Sequence, residues 1–137
     1  IAGEFYEPVN KYLNLIDDLD LNDKIIINNK FLDSKMIRDY ICASDLIIQP
    51  YIKASQSGIT PLCYFYETPM VVSDIEGLKD VVIQDKSGAI FKKTAENLSS
   101  VILESLEKKK NLNYIENIKK SKVKYSWLSF IKELQKL

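Results

Sequence analysis

Short apolar runs alternate along this chain with longer stretches whose apolar residues recur at helical spacing. Four runs bounded by turn residues read as buried parallel strands: Lys24-Ile25-Ile26-Ile27, Asp45-Leu46-Ile47-Ile48-Gln49, Pro69-Met70-Val71-Val72-Ser73 and Ala89-Ile90-Phe91. Ile1-Ala2-Gly3 reads as the end of another. Tyr12, Leu13, Leu15, Ile16 and Leu19 give a first helix its stripe, with Pro8 suited to its opening turn. Asn28-Asn29 suits a left-handed turn. Asp33-Ser34 caps a second helix carrying Met36, Ile37, Tyr40 and Ile41 on one face. Further helices are predicted over residues 62–66 and 78–83. Thr94 caps a long helix reaching Lys110, with Leu98, Val101, Ile102 and Leu106 inward; helices over 112–122 and 125–137 follow, the last lined by Trp127, Phe130, Ile131 and Leu134.

Strands alternating with helices at this rhythm predict an α/β fold: a doubly wound, Rossmann-like parallel sheet with helices on both faces. Ligands of such sheets collect at the carboxyl ends of the strands, near a reversal of strand order. The loops falling there are residues 3–7, 28–33, 50–58 and 74–77. Of these, 50–58 carries the clearest chemistry. A small-residue loop between strand and helix leaves main-chain N–H groups free at the positive end of the helix dipole. Ser55, Ser57 and Thr60 add hydroxyls, and Gly58 allows close approach. That is an anion seat suited to phosphate; the alternative is a turn that merely caps the helix. Lys53 is the loop's one lysine, a phosphate contact or a solvated side chain. Asp74 and Glu76, in the next loop, are candidates for a general base or a sugar-hydroxyl acceptor, against turn capping.

Composition narrows the chemistry. The 137 residues, 46% hydrophobic and 28% charged, are those of one ordinary globular domain. There is no histidine, which removes Ser-His-Asp catalysis and histidine metal ligands from this chain. Asp18-Leu19-Asp20 matches a metal-holding Asp-x-Asp pattern but reads as an acidic turn at a helix end, so no metal site is expected. Cys42 and Cys63 read as buried, reduced thiols of a cytoplasmic protein. No apolar run approaches membrane-spanning length. Charge is uneven: residues 1–91 carry a net of −6 and residues 92–137 a net of +6. The lysine-rich tail reads as solvated helix faces, with peripheral contact to the inner face of a membrane as the alternative. Nucleic acid is not an expected partner.

The ordered series Ala-Gly-Glu, Ile-Ile-Ile, Ala-Ser-Asp-Leu-Ile-Ile-Gln-Pro-Tyr, Gln-Ser-Gly, Pro-Met-Val-Val-Ser-Asp, Glu-Gly-Leu-Lys-Asp-Val-Val and Ser-Gly-Ala-Ile-Phe resembles the carboxyl-terminal domain of GT-B glycosyltransferases. It is most similar to the retaining group 1 family, also called family 4, from Ile1 to about Leu134. The resemblance implies a domain that grips a nucleotide diphosphate sugar, without metal or redox cofactor, for transfer to a glycan or lipid-linked acceptor. It implies that Gln56, Ser57 and Gly58 receive the diphosphate. Asn29, Lys30, Phe31 and Leu32 would border the base, and Glu76 and Gly77 would face the cleft, with Gly3 and Glu4 on the same sugar side. Two departures accompany it. The family's paired glutamates fall, counting back from Pro69, at Ala54 and Leu62, which makes a non-catalytic nucleotide-sugar-binding or regulatory module the alternative. The family's first strand-helix unit and its acceptor domain are not in residues 1–137, so this stretch alone is expected to be inactive.

Overall fold

The computed structural model describes residues 1–136, the side chains of Trp127 and Glu133 apart. The chain forms two compact units, Ile1–Asp39 and Tyr40–Leu137.

In the first unit α1 (Asn10–Asp18) buries Ile16 alone, while Leu13, Leu15 and Leu19 of its predicted stripe stay exposed. The helix starts two residues after Pro8. The run Ile25-Ile26-Ile27 is not a strand. Lys24 and Ile25 N–H groups both donate to Leu21 O, which keeps its start in a turn. Its neighbour offers only one parallel bridge, Ala2 to Asn28, so the ladder closes at once and Ile26 is 80% exposed. Asn28 and Asn29 are not left-handed; Asp20 is. α2 (Ser34–Cys42) begins at the expected cap: Asp33 Oδ1 accepts the Met36 N–H at 2.8 Å. Its last turn, with buried Ile41 and exposed Cys42, belongs to the second unit. Cys42 therefore departs from the buried thiol expected of it, because it falls on the outer side of the helix from Ile41.

The second unit is an α/β layer structure. Strands β1 (Ile47–Gln49), β2 (Met70–Ser73) and β3 (Gly88–Phe91) form a parallel sheet in sequence order. The register sets Ile48 opposite Val71 and Val71 opposite Ala89. Central β2 is buried at all four positions, as a continuous apolar run in a parallel sheet should be. Gly88 is required for contact: a Cβ there would sit 1.8 Å from Met70 O. The three carboxyl ends share one edge, and no reversal of strand order occurs among these strands.

α3 (Ile59–Tyr66) joins β1 to β2, and α4 (Lys79–Asp85) joins β2 to β3. Both end on a left-handed residue, Glu67 and Lys86, with Thr68 N donating to Cys63 O and Ser87 N to Val82 O. α4 and α5 (Ala95–Leu106) pack on β2 and β3. α5 does not run on to Lys110. Glu107 is extended at ψ 126°, and α6 (Lys108–Ser121) turns back against α5. The break lets Ile118 join Cys63, Tyr64, Met70, Val72, Leu78 and Val82 in the core. A 3-10 turn (Lys122–Tyr125) and α7 (Trp127–Leu134) follow. Leu128, Phe130, Ile131 and Leu134 of α7 are exposed, and the Trp127 side chain lies outside the described residues. Among the described residues no helix is long and apolar enough to cross a membrane.

Candidate functional site

Gln49 ends β1 and the chain passes through residues 50–58 into α3, so the loop lies at the carboxyl edge of the sheet. Gly58 is the residue before the helix, with φ −66° and ψ −19°, and a Cβ built on it meets nothing within 4 Å. Its use is therefore open space above the helix start, not an unusual backbone angle. The amides of Gln56, Ser57 and Gly58 donate to no other described residue. Ile59 N–H is engaged, donating to Ser57 Oγ at 3.2 Å. The Thr60 hydroxyl is engaged too: it donates to Gln49 Oε1 at 3.2 Å. Gln49 is 1% exposed, and a buried carboxamide oxygen needs a donor more than a surface ligand does. Thr60 thus departs from the free ligand donor expected of it.

Two hollows meet at this loop. An open groove of about 730 Å³ is lined by Ile52, Lys53, Ala54, Ser55, Ile75, Glu76 and Gly77. A smaller chamber of about 240 Å³ is lined by Gln56, Ser57, Thr60, Pro61, Tyr64, Gly77, Val81 and Tyr125. The predicted seat is thus divided, Lys53 and Ser55 facing the groove and Gln56 and Ser57 the chamber. Gly77 borders both. Its φ is +81°, and a Cβ on it would lie 2.1 Å from Ser55 O. That contact brings the second predicted loop onto the first.

Within the groove, no salt bridge engages Lys53 or Glu76 among the described residues. Asp74 is different. Lys79 Nζ lies 2.8 Å from its Oδ1, and that hydrogen bond and charge hold the Asp74 carboxyl below the usual range. A carboxylate so held is a weaker proton acceptor, and it does not line the groove. Lys93, one of the tail lysines, donates to Ile52 O at 2.7 Å. Its place directly after β3, at the same sheet edge, was the available signal.

The remaining candidates lie in the first unit. Asn28 N donates to Ile1 O and Gly3 N to Asn28 O, so residues 1–3 and 26–28 run side by side. Phe5 N donates to Asn29 Oδ1 at 2.9 Å, which sets Gly3 and Glu4 beside Asn29. Phe31 is 74% exposed, Lys30 and Glu4 are exposed, and Leu32 is half-buried. Asp18 and Asp20 sit at the end of α1, and no group of three His, Cys, Asp or Glu side chains with metal-holding geometry occurs among the described residues.

A polar cluster centred on the buried Asp85 adjoins the chamber, and nothing in the local sequence pattern announced it. Asp85 accepts from Lys124 Nζ at 2.7 Å and from the hydroxyls of Tyr125 at 2.7 Å and Tyr64 at 3.0 Å. The Tyr64 hydroxyl in turn accepts from Ser87, 2.9 Å away. Burial pushes the Asp85 carboxyl up, but hydrogen bonds from Lys124, Tyr125, Tyr64 and Ser121 outweigh it and hold the group below the usual carboxylate range. Burial, then the hydrogen bond and charge of Asp85, push the Tyr125 phenol up to about 12. Burial likewise pushes the Cys63 thiol up to about 12, which leaves it inert at neutral pH.

Comparison with curated proteins returns no match. Among solved structures, the chain is similar to "Sucrose-phosphate synthase" from Thermosynechococcus elongatus, at TM-score 0.76 and 16% identity over 98% of this chain and 35% of that one. It is similar also to WaaG, "a glycosyltransferase involved in lipopolysaccharide biosynthesis", at TM-score 0.73 and 14% identity over 85% of this chain and 31% of that one. At such identities the likeness is one of fold, and the chain spans about a third of each structure's length. The family model described as "Glycosyl transferases group 1" matches residues 1–121. A match over most of the chain, on a parallel α/β sheet of this kind, makes it a member of the group 1 glycosyltransferase family.

Proposed function

We propose that residues 1–137 are the donor-binding part of a retaining, hexosyltransferase-type enzyme that takes a sugar from a nucleotide diphosphate sugar. The observation that carries this reading is the set of unengaged amides of Gln56, Ser57 and Gly58 at the start of α3, with open space above Gly58. Amides at a helix start attract an oxyanion, and they stabilise the charge that builds on a departing diphosphate without needing a metal. Lys53 and Ser55 would flank the phosphates from the groove. Glu76 and Gly77 would face the sugar, Glu76 as acceptor for a hydroxyl. Asn29, Lys30, Phe31 and Leu32, with Gly3 and Glu4 beside them, are offered as the base and cleft contacts. No side chain is assigned as nucleophile or general base. By analogy with WaaG, which is involved in lipopolysaccharide biosynthesis, the acceptor is proposed to be a glycan or lipid-linked sugar held by a separate domain, at the cytoplasmic membrane face.

A second reading has its own observation. Ala54 lines the groove, so the position counted as the first family glutamate offers no carboxylate. A module that binds nucleotide sugars without transferring them fits that. Calorimetric titration with UDP and GDP, followed by an assay of donor hydrolysis in a chain carrying the acceptor domain, separates the two. Saturable binding with turnover supports transfer, and binding without turnover supports the module. No binding of either nucleotide contradicts both.

A further inference from the structure

The last turn of α6 and the segment after it are bolted to the ends of two helices. Glu67, the left-handed residue ending α3, pairs with Lys119 at 3.5 Å and with Lys122. Asp85, the last residue of α4, holds Lys124 and Tyr125. This strap places the Tyr125 ring 4.8 Å from that of Tyr64, tilted by 57°. Both rings wall the chamber that Gln56 and Ser57 also line. Tyr64 and Tyr125 also border an outer apolar groove of about 730 Å³, which includes Phe65 and Val123. Tyr125, itself half exposed, therefore borders both hollows.

We infer that Tyr125, latched by Asp85, is a positioning residue of the diphosphate seat. The inference rests on the seat reading above and deepens it. A loop whose amides at 56–58 are left for a ligand has few hydrogen bonds of its own, so packing has to fix its shape. The chamber lining that Gln56 and Ser57 share with Tyr64 and Tyr125 bounds the space beside the loop, and Asp85 fixes the Tyr125 part of that lining. Removing the ring widens the chamber beside the seat and takes away one of its walls. The amides then lose the preorganisation that lets them bind an oxyanion without first being ordered.

The test is calorimetric titration of the full chain with UDP, at a urea-free temperature where each variant is shown by its unfolding curve to be folded. Tyr125→Phe keeps the ring and loses the Asp85 bond; Tyr125→Ala loses both. Coupling between contacting groups leads us to expect about threefold weaker binding for Tyr125→Phe and at least about tenfold for Tyr125→Ala. Asp85→Asn keeps the shape but not the charge holding Lys124; it should weaken UDP about threefold, and carries the test if the alanine chain does not fold. A purely structural role lowers the urea midpoint of these variants and leaves the Kd of the folded chains unchanged, and that result overturns the inference. Failure of the unaltered chain to bind UDP is a different result: it removes the seat itself, and the positioning role with it.

Discussion

Gly77 and Ser57 show how far single residues decide this site. Gly77 combines a backbone angle that side chains rarely adopt with a space already filled by Ser55 O. Gly77→Ala should therefore cost at least about 2 kcal/mol, since left-handed strain and a backbone clash act together. The fall in urea midpoint measures it, and a change below about 0.5 kcal/mol would mean the two loops are not in contact. Ser57 tests binding without testing the fold. In Ser57→Asp the carboxylate can still accept from Ile59 N–H and sits favourably at a helix start, so stability should hold or rise. A diphosphate about 4 Å away would be repelled by about 4 kcal/mol at an effective dielectric of about 20, so its affinity should fall at least about a hundredfold. Equal UDP affinity in the mutant would remove Ser57 from the seat. Ser57 stood out in the sequence as a small residue in a loop between strand and helix, and Gly77 through the resemblance to the family. Thr60 stood out equally, yet its hydroxyl serves Gln49; a polar residue's partner in the fold is not written beside it.

Among the elements, those whose signals are local came through. β2 is a continuous apolar run and is buried throughout. Thr94 Oγ1 accepts from Asn97 N–H and caps α5, while Asn97 Oδ1 accepts from Lys92 N–H two residues before the cap. Thr94→Ala should destabilise by about 1 kcal/mol, read from thermal or urea unfolding. Ile25-Ile26-Ile27 carried the same β-branched signal as β2 but met only Ile1-Ala2-Gly3, and one bridge does not make a strand. The α5–α6 break was equally invisible, because it answers to where Ile118 must reach rather than to a breaker at Glu107. The strap was hidden for the reason that Asp85 and Tyr125 are 40 residues apart. It has a pH signature. The folded pKa of Asp85 lies below its unfolded value of about 3.9, so its contribution is complete above that pH and is lost as pH falls through the folded value. Stability should therefore drop on the acid side of about pH 4, and Asp85→Asn should flatten that limb. Asp39, Glu67 and Asp74, also lowered, leave a residual slope. An unchanged acid limb in Asp85→Asn would contradict the latch.

At the scale of the molecule, the parallel sheet brings the loops after β1, β2 and β3 to one edge, and there the groove, the chamber and three lysine-bearing or small-residue turns converge. The α/β alternation made that edge legible before any coordinates, and the ordered series of short motifs made the family legible. The division of the seat between two hollows was not, since it depends on Gly77 meeting Ser55 across the edge. The most direct measurement is a titration of the 15N-labelled chain with UDP, following each amide by NMR. Free amides that grip a diphosphate should shift together and saturably, with Gln56, Ser57 and Gly58 among the largest changes and inorganic pyrophosphate competing for the same signals. If those three amides stay in place while UDP saturates elsewhere, or no amide responds, the seat at the start of α3 is not where this chain holds its donor.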